Sequence, residues 1–468
     1  METTAPKTPR KRSAETTVTK LAQLLVILAA ALIYILYAKA HYMKSAWDEF
    51  AVSFATLALF TLAVVAAMPK LVSTLFGRSE KVYGPPKNKW TVFLLICLGA
   101  LVLHVITGAV GTAIYHHLRP NAGGGDLCKL WRESWLKSNT DARHYMNIAE
   151  NWYVNEGDDR LLIVFFPMLP VLIRAFNNVF HDSFISGQVI NLIATVLSAG
   201  IAYFALIPAV GDKKARYGAF IALLLPGMIF MNSPMSEPLF LLFTFSALLC
   251  IEKRRFIPAG ILTACAGFTR SLGVLLAVPL AIEGICYIVS LARAKKNWKK
   301  ELAIVLIALA LSTLGTLGYL YINYSVTGDC LKFFEYQKSN WYQSFCPFFD
   351  TVRYISRYLQ STIRENNTHM MTLWITSLIM IFGSLIYIIK QRKKLSSAFT
   401  FFYLAYFVVA CGCTWLLSAV RYLSALLPLT AAIALDLNKK WQAAVCFIVL
   451  AVMYLGYTLL YMLRWSVY

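Results

Sequence analysis

The chain has 468 residues, of which 59% are hydrophobic and only 14% charged, which excludes a soluble domain of ordinary composition and implies an integral membrane protein. Its 44 Lys and Arg exceed its 23 Asp and Glu, for a formal net charge of +21. Most of that excess lies in short loops between apolar runs, where it reports membrane orientation and not a nucleic-acid partner. Taken in order, residues 1–20 are polar and basic and read as a disordered cytoplasmic tail. Residues 21–90 hold two apolar runs, Leu21 to Ala38 and Phe50 to Met68, followed by a basic loop with Lys70, Arg78, Lys81, Lys87 and Lys89 around Gly84, Pro85 and Pro86. The positive-inside rule puts that loop and the N-terminus in the cytoplasm.

Residues 91–468 form the main module. A span near Thr91 to Ile114 crosses outward and delivers His116 to Arg160 to the far side. A surface-lying segment around Phe165 to Phe180 follows, then spans near Phe184 to Leu206, Ala219 to Met231 and Pro238 to Ile251. The run from Phe256 to Leu291 is too long for one helix and divides at Thr269 to Gly273, beside Arg270. Five more spans, near Leu302 to Tyr324, Thr372 to Ile389, Phe399 to Leu417, Tyr422 to Ala434 and Ala443 to Leu463, complete an all-α polytopic chain of about thirteen transmembrane helices. Each basic cluster then falls on one side, and two polar loops, His116 to Arg160 and Val326 to His369, fall on the other. Of the ten cysteines, Cys250, Cys265, Cys411 and Cys413 lie in apolar segments and read as small hydrophobes. Cys128, Cys330 and Cys346 lie in outer loops, where a disulfide is permitted.

The stretch from Ser138 to Arg174 gathers acids, aromatics and a histidine ahead of a proline-punctuated apolar run. Tyr145, Ile148 and Trp152 fall at i, i+3 and i+7, which predicts a short amphipathic helix on the bilayer surface with Asp141 at its start. The outer side also collects Glu156, Glu237, Arg270, Glu335 and Arg421. Charges are costly beside apolar spans, so such a gathering points to a shared polar cavity. Arg270 and Arg421 offer planar forks for a phosphate, and a carboxylate can take a proton from an attacking hydroxyl. Plainer readings stand beside these. Asp141 and Glu237 also suit helix N-termini, His144 suits an interfacial amphipath, Arg421 a snorkelling side chain, and Gln337 with Trp341 simple helix packing.

The residues carry a resemblance. DARHYMNIAENWY followed by FFPMLPVLIR resembles the W-D-x-x-H-[FY]-x-x-I-A-x-x-G-Y … F-F-P-x-x-P signature of the PIG-V family of GT-C glycosyltransferases. SPMSEPLFLLF, GFTRSLGVLL, TGDCLKFFEYQKSNW and SAVRYLSALLPL are similar to further family stretches in the expected order. Thr140 stands where a tryptophan precedes the family's aspartate, and Trp152 where a glycine precedes Tyr153. The resemblance implies a GT-C-like fold that moves a sugar, expected to be mannose, from a polyprenyl phosphate, with no metal or nucleotide cofactor. The implied acceptor is a glycolipid, a wall polymer or a protein, outside the cytoplasm of a bacterial plasma membrane, or in the ER membrane of a eukaryote. Carried onto this sequence, the family's aspartate falls on Asp141, its histidine on His144, its tyrosine or phenylalanine on Tyr145 and the acid before F-F-P on Glu156. Together with the residues gathered on the outer side, this gives the expected site: Asp141 as general base of an inverting transfer, and Arg143, His144, Tyr145, Glu156, Glu237, Arg270, Gln337, Trp341, Arg421 and Tyr422 as the substrate-binding set. The competing readings are a transporter or flippase of a lipid-linked or anionic substrate, which intramembrane charges also suit, and a non-catalytic partner of a glycosyltransferase complex.

Overall fold

The computed structural model describes residues 9–41, 47–76, 83–136 and 140–467. Among them the architecture is all-α, with one isolated antiparallel bridge between Phe345 and Cys413. The order is α1 (Pro9–His41), α2 (Trp47–Leu75), α3 (Lys89–Leu118), α4 (Leu127–Trp135), α5 (Ala142–Asn151), α6 (Met168–Phe180), α7 (Ser183–Val210), α8 (Asp212–Leu224), α9 (Glu237–Glu252) and α10 (Phe256–Thr269). There follow α11 (Ala277–Arg293), α12 (Lys299–Thr327), α13 (Lys332–Asn340), α14 (Phe348–Arg364), α15 (Thr368–Gln391), α16 (Ser397–Ala410), α17 (Ala419–Ser424), α18 (Leu427–Asp436) and α19 (Lys440–Met462).

One expectation is corrected at the N-terminus. Because α1 starts at Pro9, residues 9–20 are helical and not a disordered tail; residues 1–8, Arg78, Lys81 and Ser138 lie outside the described residues. The count of thirteen spans is not confirmed. Eight described helices are long and apolar enough to cross a membrane, or ten if two bent pairs each count as one. The difference comes from helices that are apolar but short. At 1.5 Å per residue, α10 and α16, with 14 residues each, and α18, with 10, fall short of a hydrocarbon core of about 30 Å. The run expected to span from Ala219 to Met231 is broken as well. Pro226 opens a 3-10 turn over Pro226–Asn232, which is bent 69° from α8, because proline supplies no amide to continue the helix.

These short helices shape the site. The ends of α10 and α16 stop inside the bundle and hand the chain to Arg270 and, through residues 411–418, to α17. α10 is held in place by α12 along a seam of small residues. A Cβ added at Gly260 would sit 2.3 Å from the Ala308 carbonyl oxygen, and one at Gly315 would sit 1.8 Å from that of Ala264, so the backbones are in direct contact, as small-residue membrane interfaces allow. Around this core, α1, α3 and α19 turn outward side chains such as Leu25, Leu36, Leu94, Leu98, Ile448 and Val452, as expected of surfaces solvated by lipid tails. The α1–α2 pair is tied to α14 by charge. Glu49 accepts from Arg357 Nε at 2.6 Å and Arg353 Nη1 at 2.9 Å, and Arg353 Nε also pairs with Asp350 at 2.7 Å. No disulfide forms among the described cysteines. Cys128 and Cys330 are exposed and Cys346 is buried.

Candidate functional site

The amphipathic helix expected around Tyr145 is α5. Its inner face is Tyr145, Ile148 and Ala149, all at most 4% exposed. Asp141 occupies the N-cap position with helical dihedrals, but its side chain caps nothing; the carboxylate instead accepts from Arg421 Nη1 at 3.0 Å through Oδ2. After α5 the chain turns at Trp152 with φ +64° and ψ −171°, a region that favours glycine. The glycine of the resembling signature therefore has a backbone reason, and this chain places a tryptophan against it. Tyr153 then donates to the Phe165 carbonyl at 2.6 Å, and Tyr319 donates to that of Ile163 at 2.7 Å. Those two bonds fix the loop that presents Phe165 and Phe166.

Asp141, His144, Tyr145, Arg270, Gln337, Trp341, Arg421 and Tyr422 line one cavity of about 320 Å³, together with Thr140, Phe165, Phe166, Ser271, Gln343 and Ser418 among others. Glu237 stands behind the lining and joins its two cations. It pairs with Arg270, and its Oε1 lies 3.2 Å from Arg421 Nε. Its Oε2 is buried without a hydrogen-bond partner among the described residues. Ser236 accepts from Arg270 Nη1 at 3.1 Å and shares a 2.9 Å hydrogen bond with the Tyr145 hydroxyl. Both guanidinium groups also lie over the Tyr422 ring, at 5.2 and 5.6 Å. The side chains of Arg421 and Glu237 are 7% and 3% exposed, that of Arg270 13% and that of Asp141 29%. The result is a formally neutral set of two cations and two anions, with Asp141 the member most open to a ligand. Gly227, in the turn after α8, lets α17 approach closely, since a Cβ there would lie 2.8 Å from the Arg421 Cα.

Two expected members lie elsewhere. Arg143 is exposed: two residues past Asp141 on a 3.6-residue period, it points away from the face that carries Asp141, His144 and Tyr145. Glu156 is exposed in the bend before Gly157 and does not line the cavity. Glu335, also expected on this side, is 60% exposed and pairs with Lys332. Sequence reasoning missed Thr140, Phe166, Ser271, Gln343 and Ser418. Phe166, Ser271 and Ser418 lie inside the motif stretches and Thr140 immediately precedes one, which was the available signal; Gln343 had none. It accepts from Gln337 Nε2 at 2.6 Å and donates to the Trp415 carbonyl at 2.9 Å, a link between loops that only the fold creates. Among the described residues, no group of three His, Cys, Asp or Glu is placed to hold a metal ion.

His144 stacks on Phe165 with ring centroids 4.8 Å apart. Burial holds its pKa below the usual 6.5, against the opposing pull of Asp141 and Asp159. The folded chain therefore binds fewer protons at His144 than the unfolded chain does, so its stability contribution is present above the ordinary histidine range and is lost as pH falls through it. Between pH 7 and 5, the melting temperature of the wild type should fall further than that of His144→Gln. Parallel melting curves would show that His144 is not held uncharged.

The family model described as Mannosyltransferase (PIG-V) matches residues 91–363, more than half of the chain. The chain belongs to the PIG-V mannosyltransferase family. The family match contains Asp141, Glu237, Arg270 and Trp341, while Arg421 lies beyond it. The PIG-V chain is also 29% identical over 160 residues to GPI alpha-1,6-mannosyltransferase 2 of Cricetulus griseus, covering 32% of this chain and 31% of that protein. The chain thus matches about a third of that relative's length. A crystal structure of the Archaeoglobus fulgidus oligosaccharyltransferase, tethered with an acceptor peptide, aligns with a TM-score of 0.41 and 14% identity over 78% of this chain and 55% of that one.

Proposed function

We propose that this PIG-V protein transfers a mannosyl residue from a polyprenyl phosphate to an acceptor hydroxyl, with inversion at the anomeric carbon. The observation that carries the reading is the single cavity in which the Asp141 carboxylate lies 3.0 Å from Arg421, and Arg421 and Arg270 share Glu237. Position supports an extracytoplasmic site. Glu237 opens α9, which ends beside Lys253, Arg254 and Arg255, and Arg270 follows α10, which starts beside the same cluster. Arg421 follows α16, which starts after Lys393 and Lys394. Each of these three residues therefore sits at the helix end away from the basic clusters that the positive-inside rule assigns to the cytoplasm.

The donor's phosphodiester carries one negative charge and gains a second when the sugar leaves. Arg421 and Arg270 are preorganised to meet that charge in a site largely closed to solvent. When the phosphate engages Arg421 it competes with Asp141 Oδ2 for the same guanidinium and frees the carboxylate to accept a hydrogen bond from the acceptor. The acceptor oxygen then bonds to the anomeric carbon, its proton passes to Asp141, and the bond from that carbon to the phosphate oxygen breaks with its electron pair going to the phosphate. The guanidinium groups supply the cationic charge, so the scheme requires neither a metal nor a nucleotide. Phe165, Phe166 and Trp341 offer apolar faces to the sugar.

The test is to incubate purified protein and membranes with radiolabelled polyprenyl-phosphate mannose, glucose, galactose and arabinose. Transfer of mannose label is expected. Transfer of another sugar alone would overturn the donor assignment, and transport of intact donor without transfer would favour the flippase reading.

A further inference from the structure

A second cavity, of about 430 Å³, is lined by Tyr354, Arg357, Tyr358, Ser361 and Thr414, the last of which opens the segment 414–418. That segment contributes to both cavities, since Leu417 and Ser418 line the first. The start of that segment is braced. Thr351 Oγ1 and the Tyr354 hydroxyl both donate to the Cys413 carbonyl, at 2.9 and 3.2 Å, and Ser344 exchanges backbone and side-chain bonds with Thr414. Two cavities that share one braced segment can hold two parts of one ligand.

The lining chemistry selects the ligand. Tyr358 is stacked on Trp374 at 5.6 Å and meets Trp415 edge-on at 5.2 Å, yet remains 40% exposed. It is therefore a rigid aromatic platform with accessible surface, suited to the apolar face of a sugar ring. Arg357 is 48% exposed, with Nε and Nη2 both engaged by Glu49, which leaves its Nη1 edge for a neighbouring pair of hydroxyls. Ser361 Oγ donates to Glu365 at 2.6 Å and keeps acceptor lone pairs for a ligand, whereas Thr414 Oγ1 donates to the Tyr342 carbonyl at 2.8 Å and accepts from the Ser344 amide at 2.9 Å, and so serves the braced segment. Charge argues against a phosphate: among the described residues, Arg353 and Arg357 are offset by Glu49 and Asp350. Glu49 belongs to α2, outside the family match at residues 91–363, so the orientation of Arg357 is set by a part of this chain that the family does not define.

We infer that this cavity binds a neutral saccharide unit of the acceptor, distinct from the unit that is glycosylated, and that the α1–α2 pair helps to build it through Glu49. The word acceptor rests on the glycosyl-transfer reading; the saccharide site itself does not. Full-length purified protein would be titrated with mannobiose, maltose, lactose and inorganic phosphate by saturation-transfer NMR. At least one disaccharide should bind, Tyr358→Ala should weaken it by about tenfold, and Tyr358→Trp should restore it. Phosphate should not compete. In the transfer assay, Tyr358→Ala should raise the acceptor KM and leave kcat nearly unchanged. Disaccharide binding that depends on Tyr358, in a protein that transfers nothing, would sink the transfer reading and keep the site. No disaccharide binding to the wild type, equal binding by Tyr358→Ala, or displacement by phosphate would overturn the inference.

Discussion

Asp141→Asn is expected to slow sugar transfer by about 100- to 10,000-fold, the range by which a general base contributes, with little change in folding. The amide keeps the shape of the carboxylate and retains an oxygen that can accept from Arg421, so the 3.0 Å contact has a neutral substitute. Helix α5 loses no cap, because the Asp141 side chain makes no capping bond. The group removed is the one that takes the acceptor proton. Initial transfer rates measured beside melting curves separate the two effects. A variant that keeps more than about a tenth of the rate would dismiss Asp141 as the base, and one that fails to fold would reassign it to structure.

Glu237→Gln carries the second large expectation, and it concerns stability first. Arg421 and Arg270, with side chains 7% and 13% exposed, share this carboxylate. Removing its charge leaves two buried cations with only Asp141 to offset them. Breaking a buried ion pair by deleting one partner costs about 3–5 kcal/mol. The variant should melt well below the wild type in detergent and should lose transfer as the guanidinium groups move apart. Glu237→Asp keeps the charge with a shorter reach and should recover part of both. An unchanged melting temperature in Glu237→Gln would mean that the two arginines find their counter-charge elsewhere.

Fold class was legible because hydropathy and the placement of Lys and Arg are averages over many residues, which no single contact can overturn. Span number was not. Hydropathy registers that α10, α16 and α18 are apolar but not that they stop within the bundle, and these early stops make room for Arg270 and Arg421. Asp141, Arg270 and Arg421 stood out because a charge beside apolar sequence needs a reason. Glu237 was harder to read. A glutamate at the start of a helix looks like a favourable first-turn acid, and its role between two arginines 33 and 184 positions away depends on tertiary packing. Arg143 and Glu156 were drawn in by proximity to a motif, but helix phase points one outward and the turn at Gly157 carries the other to the surface.

Phosphate and Asp141 are expected to compete for Arg421. The most direct measurement of that competition is the affinity of polyprenyl monophosphate, the leaving group, for the wild type, Asp141→Asn and Arg421→Gln in the same detergent. Binding by Asp141→Asn should be at least as tight as by the wild type, because a neutral amide competes with phosphate for Arg421 more weakly than a carboxylate does, and Arg421→Gln should bind at least about tenfold more weakly. Equal weakening in both variants, or polyprenyl phosphate binding that ignores Arg421, would contradict the account.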